Sequence, residues 1–287
     1  MNRRLRAALF GFRAEMTARQ SHETRRSLSA DQLARYRRDG VVFPISALTG
    51  SELVFLRRTL DELEGLLGGK NIYGRLSQPH LHFRWAYDLA THPKVLDAVE
   101  DIIGPDILVH SSTVFCKEGH SPGYVSWHQD GYYWKLSEAK LTSSWIALTD
   151  STTENGCLRA VTGSHGSVFA HSEHKTADNM LTTGLRLVGD VSQSQILDVT
   201  LKAGEMSLHH VNLVHGSAPN HSGTRRLGYA VRYLAPSVRQ TRKHHAVVIA
   251  RGEDRYGHFE PLRGVPSKDL EEGISASAHF GQVFSVS

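Results

Sequence analysis

Two cysteines in 287 residues, Cys116 and Cys157, exclude a disulfide framework, and no CxxC pair offers a redox or zinc-ribbon site. Both read as small buried hydrophobes in a reducing, cytoplasmic setting. No apolar run approaches the ~20 residues that a membrane-spanning helix needs. HExxH, the commonest zinc-hydrolase signature, is missing. There is no internal repeat, no low-complexity linker and no alternation of strand with helix, which argues against a solenoid and against a Rossmann-type sheet. Basic charge is scarce outside one stretch. Residues 1–40 carry ten arginines against four acids, whereas the other 247 residues carry 23 basic and 25 acidic side chains. The net +4 therefore belongs to an arm and not to a basic face, so neither nucleic acid nor membrane is the expected partner; a small molecule is. Met1–Arg13 lacks acids and has the texture of a transit peptide, but reads better as a packing arm; its apolar stretch is too short and too interrupted by Arg for a secretory signal. Nothing in the pattern specifies an oligomeric state.

What is present divides into helices first and strands after. Ser29-Ala30-Asp31-Gln32 and Thr49-Gly50-Ser51-Glu52 are capping boxes. The first opens a short helix that Gly40 ends; Val41-Val42-Phe43 then reads as a strand. The second precedes Leu53, Leu56, Leu60, Leu63 and Leu67, apolar at steps of three and four, and Gly68-Gly69 stops that helix. A third helix is predicted from Thr91-His92-Pro93 to Gly104-Pro105. Beyond it lie short β-rich runs: Ile107–Phe115, Tyr124–Trp127, Ser143–Leu148, Ile196–Leu201, Met206–His210 and Leu227–Leu234. Asn155-Gly156 is predicted to be a hairpin turn without chemistry, and Asn220–Gly223 a turn that returns the chain beside itself. The expected fold is mainly β with flanking helices (α+β), a double-stranded β-helix of the jelly-roll or cupin type. The expected organisation is a basic arm at 1–28 and one domain at 29–287. That domain has a helical part over about 29–104, a jelly-roll core over about 105–240, and a tail at 241–287 that folds over the barrel mouth as a lid.

Chemistry concentrates in Trp127-His128-Gln129-Asp130 and in His215-Gly216-Ser217, followed by Arg225-Arg226. Two histidines and one carboxylate on one face of a metal leave positions open, the arrangement used by non-haem Fe(II) oxygenases. His128 and Asp130 are two apart, so an extended segment points both the same way. With 18 histidines in the chain, a single His-x-Asp is weak evidence. The later His-Gly-Ser and arginine strengthen it. His209 and His210 compete with His215 for the third ligand; one of them is expected to face the pocket without binding metal. Arg226 is expected to return to the pocket and grip a carboxylate in bidentate fashion, with Ser217 adding a hydroxyl. Arg225 is expected to face solvent.

In these motifs the chain resembles the phytanoyl-CoA dioxygenase family of Fe(II)/2-oxoglutarate oxygenases. The resemblance runs from Leu28-Ser29-Ala30-Asp31-Gln32 through Thr91-His92-Pro93, Ser126–Asp130, Glu154–Leu158 and Pro219-Asn220 to Arg225-Arg226 and Tyr233. It is most similar to bacterial members that hydroxylate small metabolites. The resemblance implies iron held by His128, Asp130 and His215, and 2-oxoglutarate gripped by Arg226 and Ser217, with Gln129 and Trp145 lining its pocket. It implies O2 as co-reactant, succinate and CO2 as products, and hydroxylation of an unactivated C–H. Asp130 stands where related halogenases have a small residue, so chlorination is disfavoured. A lysine that the family often places before the third helix is absent from Gln78-Pro79-His80-Leu81-His82. Tyr132, Trp134, His82 and Arg232 are the candidate substrate residues, with Tyr133, His80 and Arg84 nearby. Desaturation, cyclisation or epoxidation by the same machinery is the alternative outcome; a zinc hydrolase or a non-catalytic jelly-roll binding module is the alternative class.

Overall fold

The computed structural model describes residues 26–69, 76–240 and 246–284. Most of the expected basic arm lies outside these described residues. Leu28, where that arm was expected to end, is buried, and its N–H donates to Asp101 Oδ2 at 2.8 Å.

Both capping boxes form. Helix α1 (Ala30–Asp39) starts with Ser29 and Gln32 satisfying each other's backbone N–H groups, and ends at Gly40, whose φ of 78° suits a residue without Cβ. Helix α2 (Gly50–Leu66) is capped by Thr49 and Glu52 in the same way and buries Leu56, Leu60 and Leu63. Helix α3 (Arg84–Ala90) has no side-chain cap and only seven residues, too short for a periodic signal. Helix α4 (Pro93–Ile103) begins with proline in its first turn, where the missing N–H costs nothing.

Twelve strands follow or interleave: β1 (Val41–Ser46), β2 (Ile107–Lys117), β3 (Val125–His128), β4 (Leu141–Ala147), β5 (Leu158–Val161), β6 (His171–Glu173), β7 (Leu185–Leu187), β8 (Ile196–Val199), β9 (Glu205–His210), β10 (His215–Ser217), β11 (Arg226–Leu234) and β12 (Val248–Arg251). The major sheet is antiparallel in the order β1-β9-β4-β11-β2-β12, the minor sheet antiparallel in the order β3-β10-β5-β8, and β6-β7 is a separate ribbon. The two sheets enclose an apolar seam in which Trp145, Ala147 and Ala230 of the major sheet meet Leu158, Ala160 and Val199 of the minor one. This is the double-stranded β-helix expected from the sequence.

Strand β11 shows how the layers are built. Leu227, Tyr229, Val231 and Tyr233 belong to the core shared with the helices. Arg226, Ala230 and Arg232, in the alternate register, line the cavity between the sheets. Two phenols strap sheet to helix: Tyr229 donates to the Ala86 carbonyl at 3.1 Å and Tyr233 to the Ala90 carbonyl at 2.8 Å.

One expectation needs correction. Asn220–Gly223 does not return a hairpin, because β10 and β11 lie in different sheets; the connection crosses the sandwich edge. The described part of the expected tail adds a strand and a helix. Strand β12 extends the far edge of the major sheet beside β2, and helix α6 (Leu270–Phe284) packs Gly273 so closely on Phe83 that a Cβ there would sit 2.6 Å from the ring. None of the residues lining the cavity lies beyond Arg232.

Tyr233→Phe removes the strap to Ala90 without changing shape. The expected loss is about 1 kcal/mol, seen as a lower urea midpoint with an unchanged m value. An unchanged midpoint would show that the strap contributes nothing.

Candidate metal centre and its cavity

His128 ends β3 and His215 begins β10, and the two are direct cross-strand partners with ring centroids 4.2 Å apart. Gln129 is extended, with φ −117° and ψ 124°, and Asp130 opens a short helix, α5 (Asp130–Trp134). That turn from strand to helix brings Asp130 Oδ1 to 3.4 Å from His128 Nε2. One ligand atom from each of His128, Asp130 and His215 lies within 4.8 Å of the others, and all three residues are buried.

The protonation states suit a cation. His128 Nδ1 sits 2.9 Å from the Ser126 carbonyl and His215 Nδ1 2.9 Å from the Leu213 carbonyl. Each Nδ1 must donate there, so each Nε2 carries the lone pair. Burial, and then the neighbouring His128 and His209, hold His215 well below the ordinary histidine value, so it is neutral. Burial alone would raise the Asp130 carboxyl. The contact with His128 and the charge of Arg232 outweigh it and hold Asp130 well below the usual carboxylate range. One carboxylate and two imidazole Nε2 atoms, each opposite an Nδ1 held on a backbone carbonyl, are ligands suited to a metal.

His209 lines the cavity 4.8 Å from the His215 ring but lies outside this ligand cluster. Burial pushes it down to about 4, so it is neutral. His210 faces the other way: its Nδ1 accepts from Asn212 N at 3.1 Å and its ring lies by His165 and Tyr36.

At the other end of the cavity two basic side chains are buried together. Arg226 on β11 is the cross-strand partner of Lys117 on β2. Arg226 donates through Nη1 to the Gly156 carbonyl and lies 5.0 Å over the Trp145 ring, while its buried Nε has no hydrogen-bond partner. Lys117 donates to Ser217 Oγ at 2.7 Å and to the Ala218 carbonyl. Neither cation forms an ion pair with a carboxylate among the described residues. Burial lowers Arg226 to about 10, and burial followed by the charge of Arg226 lowers Lys117 to about 6. An uncompensated buried cation is costly, so a site that keeps Arg226 charged, beside a lysine whose own charge burial suppresses, suits an anion. Trp145, which lines this cavity, rests on Gly228, where a Cβ would fall 2.0 Å from the indole.

Ser217, Trp145, Arg226 and Arg232 thus join the triad around one cavity. Gln129 does not. Its side-chain amide donates to the Ser167 and Asn212 carbonyls and accepts from Phe169 N, so it pins the 167–169 loop and does not line the cavity. Tyr132 is outside as well, half-exposed and stacked on His171 at 4.3 Å. Trp134 does not line the cavity; it packs against the cluster that includes Leu108 and Phe259, and Arg232 lies 5.7 Å over its ring. His82 lies under helix α6, His80 bonds Ser112 Oγ at 2.7 Å, and Arg84 pairs with Asp88 on the surface. Arg225 is not free in solvent: it binds Glu64 and Glu118, each at 2.7 Å, joining α2 to the sheet. Asn155-Gly156 is a turn, as predicted, yet it carries more than a turn. The Gly156 carbonyl faces Arg226, and with φ at 76° a Cβ there would meet the Ala218 carbonyl at 2.3 Å. Lys117 was missed. Its signal was a lysine in the inward register of a strand otherwise rich in apolar residues.

Because Lys117 is depressed to about 6 in the fold and near 10.4 when unfolded, the unfolded chain binds the extra proton throughout that window. Stability should therefore rise between pH 7 and pH 10. Lys117→Met should lack this slope, so its stability relative to the wild type should be greatest at pH 7 and shrink towards pH 10 in urea titrations. Parallel pH profiles would contradict a neutral buried lysine.

The sequence profile described as phytanoyl-CoA dioxygenase (PhyH) matches residues 36–228. The chain is 30% identical over 196 residues to the "Probable alpha-ketoglutarate-dependent hypophosphite dioxygenase" of Stutzerimonas stutzeri, covering 66% of this chain and 63% of that protein. It is 29% identical over 224 residues to the ectoine dioxygenase of Halomonas elongata, covering 68% and 66%. The match spans just under two thirds of the length of these two relatives. Among solved structures, the apo form of the non-heme monooxygenase ThoJ superposes with a TM-score of 0.73 at 31% identity, over 87% of this chain and 95% of that one.

Proposed function

The chain belongs to the phytanoyl-CoA dioxygenase family of Fe(II)/2-oxoglutarate-dependent oxygenases, and on that premise we propose that it hydroxylates an unactivated C–H of a small metabolite, releasing succinate and CO2. The observation that carries this reading is the meeting, at one cavity, of a buried His-Asp-His cluster with a buried arginine, Arg226, that no carboxylate among the described residues neutralises. A metal needs the first and the far carboxylate of a ketodicarboxylic acid needs the second.

His128, Asp130 and His215 are the residues that would hold Fe(II). Bound iron would supply the activation of O2 coupled to oxidative decarboxylation of 2-oxoglutarate, which no protein side chain can perform. The chain's own residues do the rest. The Ser126 and Leu213 carbonyls hold the two imidazole rings with Nε2 towards the centre. Arg226 and Ser217 grip the distal carboxylate. Lys117 donates to Ser217 Oγ, leaving the hydroxyl proton free for that carboxylate. Phe115, Val125 and Leu158 wall the cavity with apolar surface and keep water from the reacting centre. Asp130 occupies the position a halide would need, which favours hydroxylation over halogenation. The zinc-hydrolase reading gains no support, because no glutamate lines the cavity to act as general base. Within the described residues no helix is long and apolar enough to cross a membrane, and both cysteines are free, in keeping with a reducing cytoplasm.

Anaerobic addition of Fe(II) and 2-oxoglutarate should produce the weak visible charge-transfer band of the chelate. Asp130→Ala should lose it, and Arg226→Gln should require on the order of a hundredfold more 2-oxoglutarate, the loss of a buried charge-assisted pair. Folded, iron-loaded wild type without the band would sink the assignment.

A further inference from the structure

Arg232, Ser143 and His209 form a row across three adjacent strands. Arg232 on β11 pairs with Ser143 on β4, and Ser143 pairs with His209 on β9. Directly opposed residues share a face, and all three line the cavity. Their polar atoms are only partly used. Arg232 Nη1 donates to Thr113 Oγ1 at 3.0 Å, but its Nε is buried without a hydrogen bond, and 3.8 Å to Asp130 Oδ2 is too long for one. His209 Nδ1 is likewise buried and unpartnered. The Ser143 hydroxyl reaches Asp130 Oδ2 only at 3.4 Å. Trp134 backs the guanidinium at 5.7 Å and screens it from solvent.

This row cannot serve the same anion as Arg226. The two arginines are six residues apart on one strand, about 20 Å between Cα atoms. They lie at opposite ends of the cavity floor, with Ala230 and Trp145 between them. Arg226 sits against Gly156, whereas Arg232 sits against Thr113, Trp134 and Asp130. A ketodicarboxylate that spans from the triad to Arg226 leaves Arg232 unanswered. The charges agree. A divalent metal and a dianionic cosubstrate cancel and Asp130 offsets one of the two arginines, so the site as a whole keeps one positive charge.

We propose that Arg232, with Ser143 and His209, is the anchor for the primary substrate, and that this substrate carries an oxyanion, a carboxylate or a phosphorus oxyanion. The proposal rests on the reading of the cavity as an iron and 2-oxoglutarate site. An adjoining cavity of about 430 Å³, sharing Phe115 and lined by Gln78, Thr113, Met180 and Thr182, offers room for the rest of such a molecule beside the arginine. The anion end is thereby held next to the metal ligands, and the C–H bonds nearest the anion are the ones presented for oxidation.

Calorimetry on the Co(II)- and 2-oxoglutarate-loaded full chain under argon tests this, with methylphosphonate, N-acetylglycine and neutral N-methylacetamide as probes. At least one anion should bind the wild type saturably, at least tenfold more tightly than Arg232→Gln, with Arg232→Lys between them and no binding of the neutral probe. Which anion binds separates the tetrahedral from the planar class. Arg232→Gln should still take up 2-oxoglutarate. No anion binding to the wild type, or equal binding to Arg232→Gln, would overturn the proposal, as would loss of 2-oxoglutarate uptake in Arg232→Gln. A wild type that takes up no 2-oxoglutarate would overturn the reading of the cavity itself, and this proposal with it.

Discussion

The two-residue period of β11 is the constraint on which the rest depends. One face of this strand is Leu227, Tyr229, Val231 and Tyr233, packed with the helices; the other carries Arg226, Gly228, Ala230 and Arg232. A slip of one residue against β2 or β4 would drive two guanidinium groups into the helical core and turn two tyrosines towards the metal ligands. The strand is central in its sheet, paired on both sides over its length, so that slip would break two ladders at once. Glycine at 228 is part of the same constraint, since any larger residue there evicts Trp145 from the cavity floor.

Fixing that register places positive charge where the interior would otherwise reject it. Arg226 and Arg232 line the cavity with Lys117 opposite Arg226, while Asp130 is the carboxylate close to Arg232. Arg225, next in sequence to Arg226, is handled in the ordinary way, with Glu64 and Glu118 as partners. The adjacent arginines contrast: one is neutralised by two glutamates, the other has no carboxylate partner among the described residues, which is what supports the proposed anion-binding role of Arg226. The cost of the unpaired cations in the empty protein is recovered when anions enter, which couples cosubstrate binding to stability.

Much of this was legible in the sequence because it rests on short-range rules. Capping boxes, proline in a helical first turn and the glycine after α1 set helix ends locally, and they appear where expected. The ligand cluster was legible because His-x-Asp spacing and His-Gly-Ser are local patterns. What escaped depends on pairing between distant segments. Strand β10 has three residues and no signal of its own; it exists because β3 and β5 flank it. Lys117 gains meaning only from the register that sets it opposite Arg226. Gln129 adjoins both ligands, yet the strand alternation turns it to the loop at 167–169 instead of the cavity. Strand β12 escaped for the same reason, since its polar, glycine-rich surroundings carry no strand signal and it forms on the edge of β2.

The central claim is that one cavity divides its charges between a metal, a dicarboxylate and a substrate. A crystal structure of the Fe(II) and 2-oxoglutarate complex grown without oxygen addresses it most directly. The account predicts iron among His128, Asp130 and His215, the far carboxylate between Arg226 and Ser217, and Arg232 still without an anion. A cosubstrate whose far carboxylate lies on Arg232, or a metal held by His209 in place of His215, would contradict it.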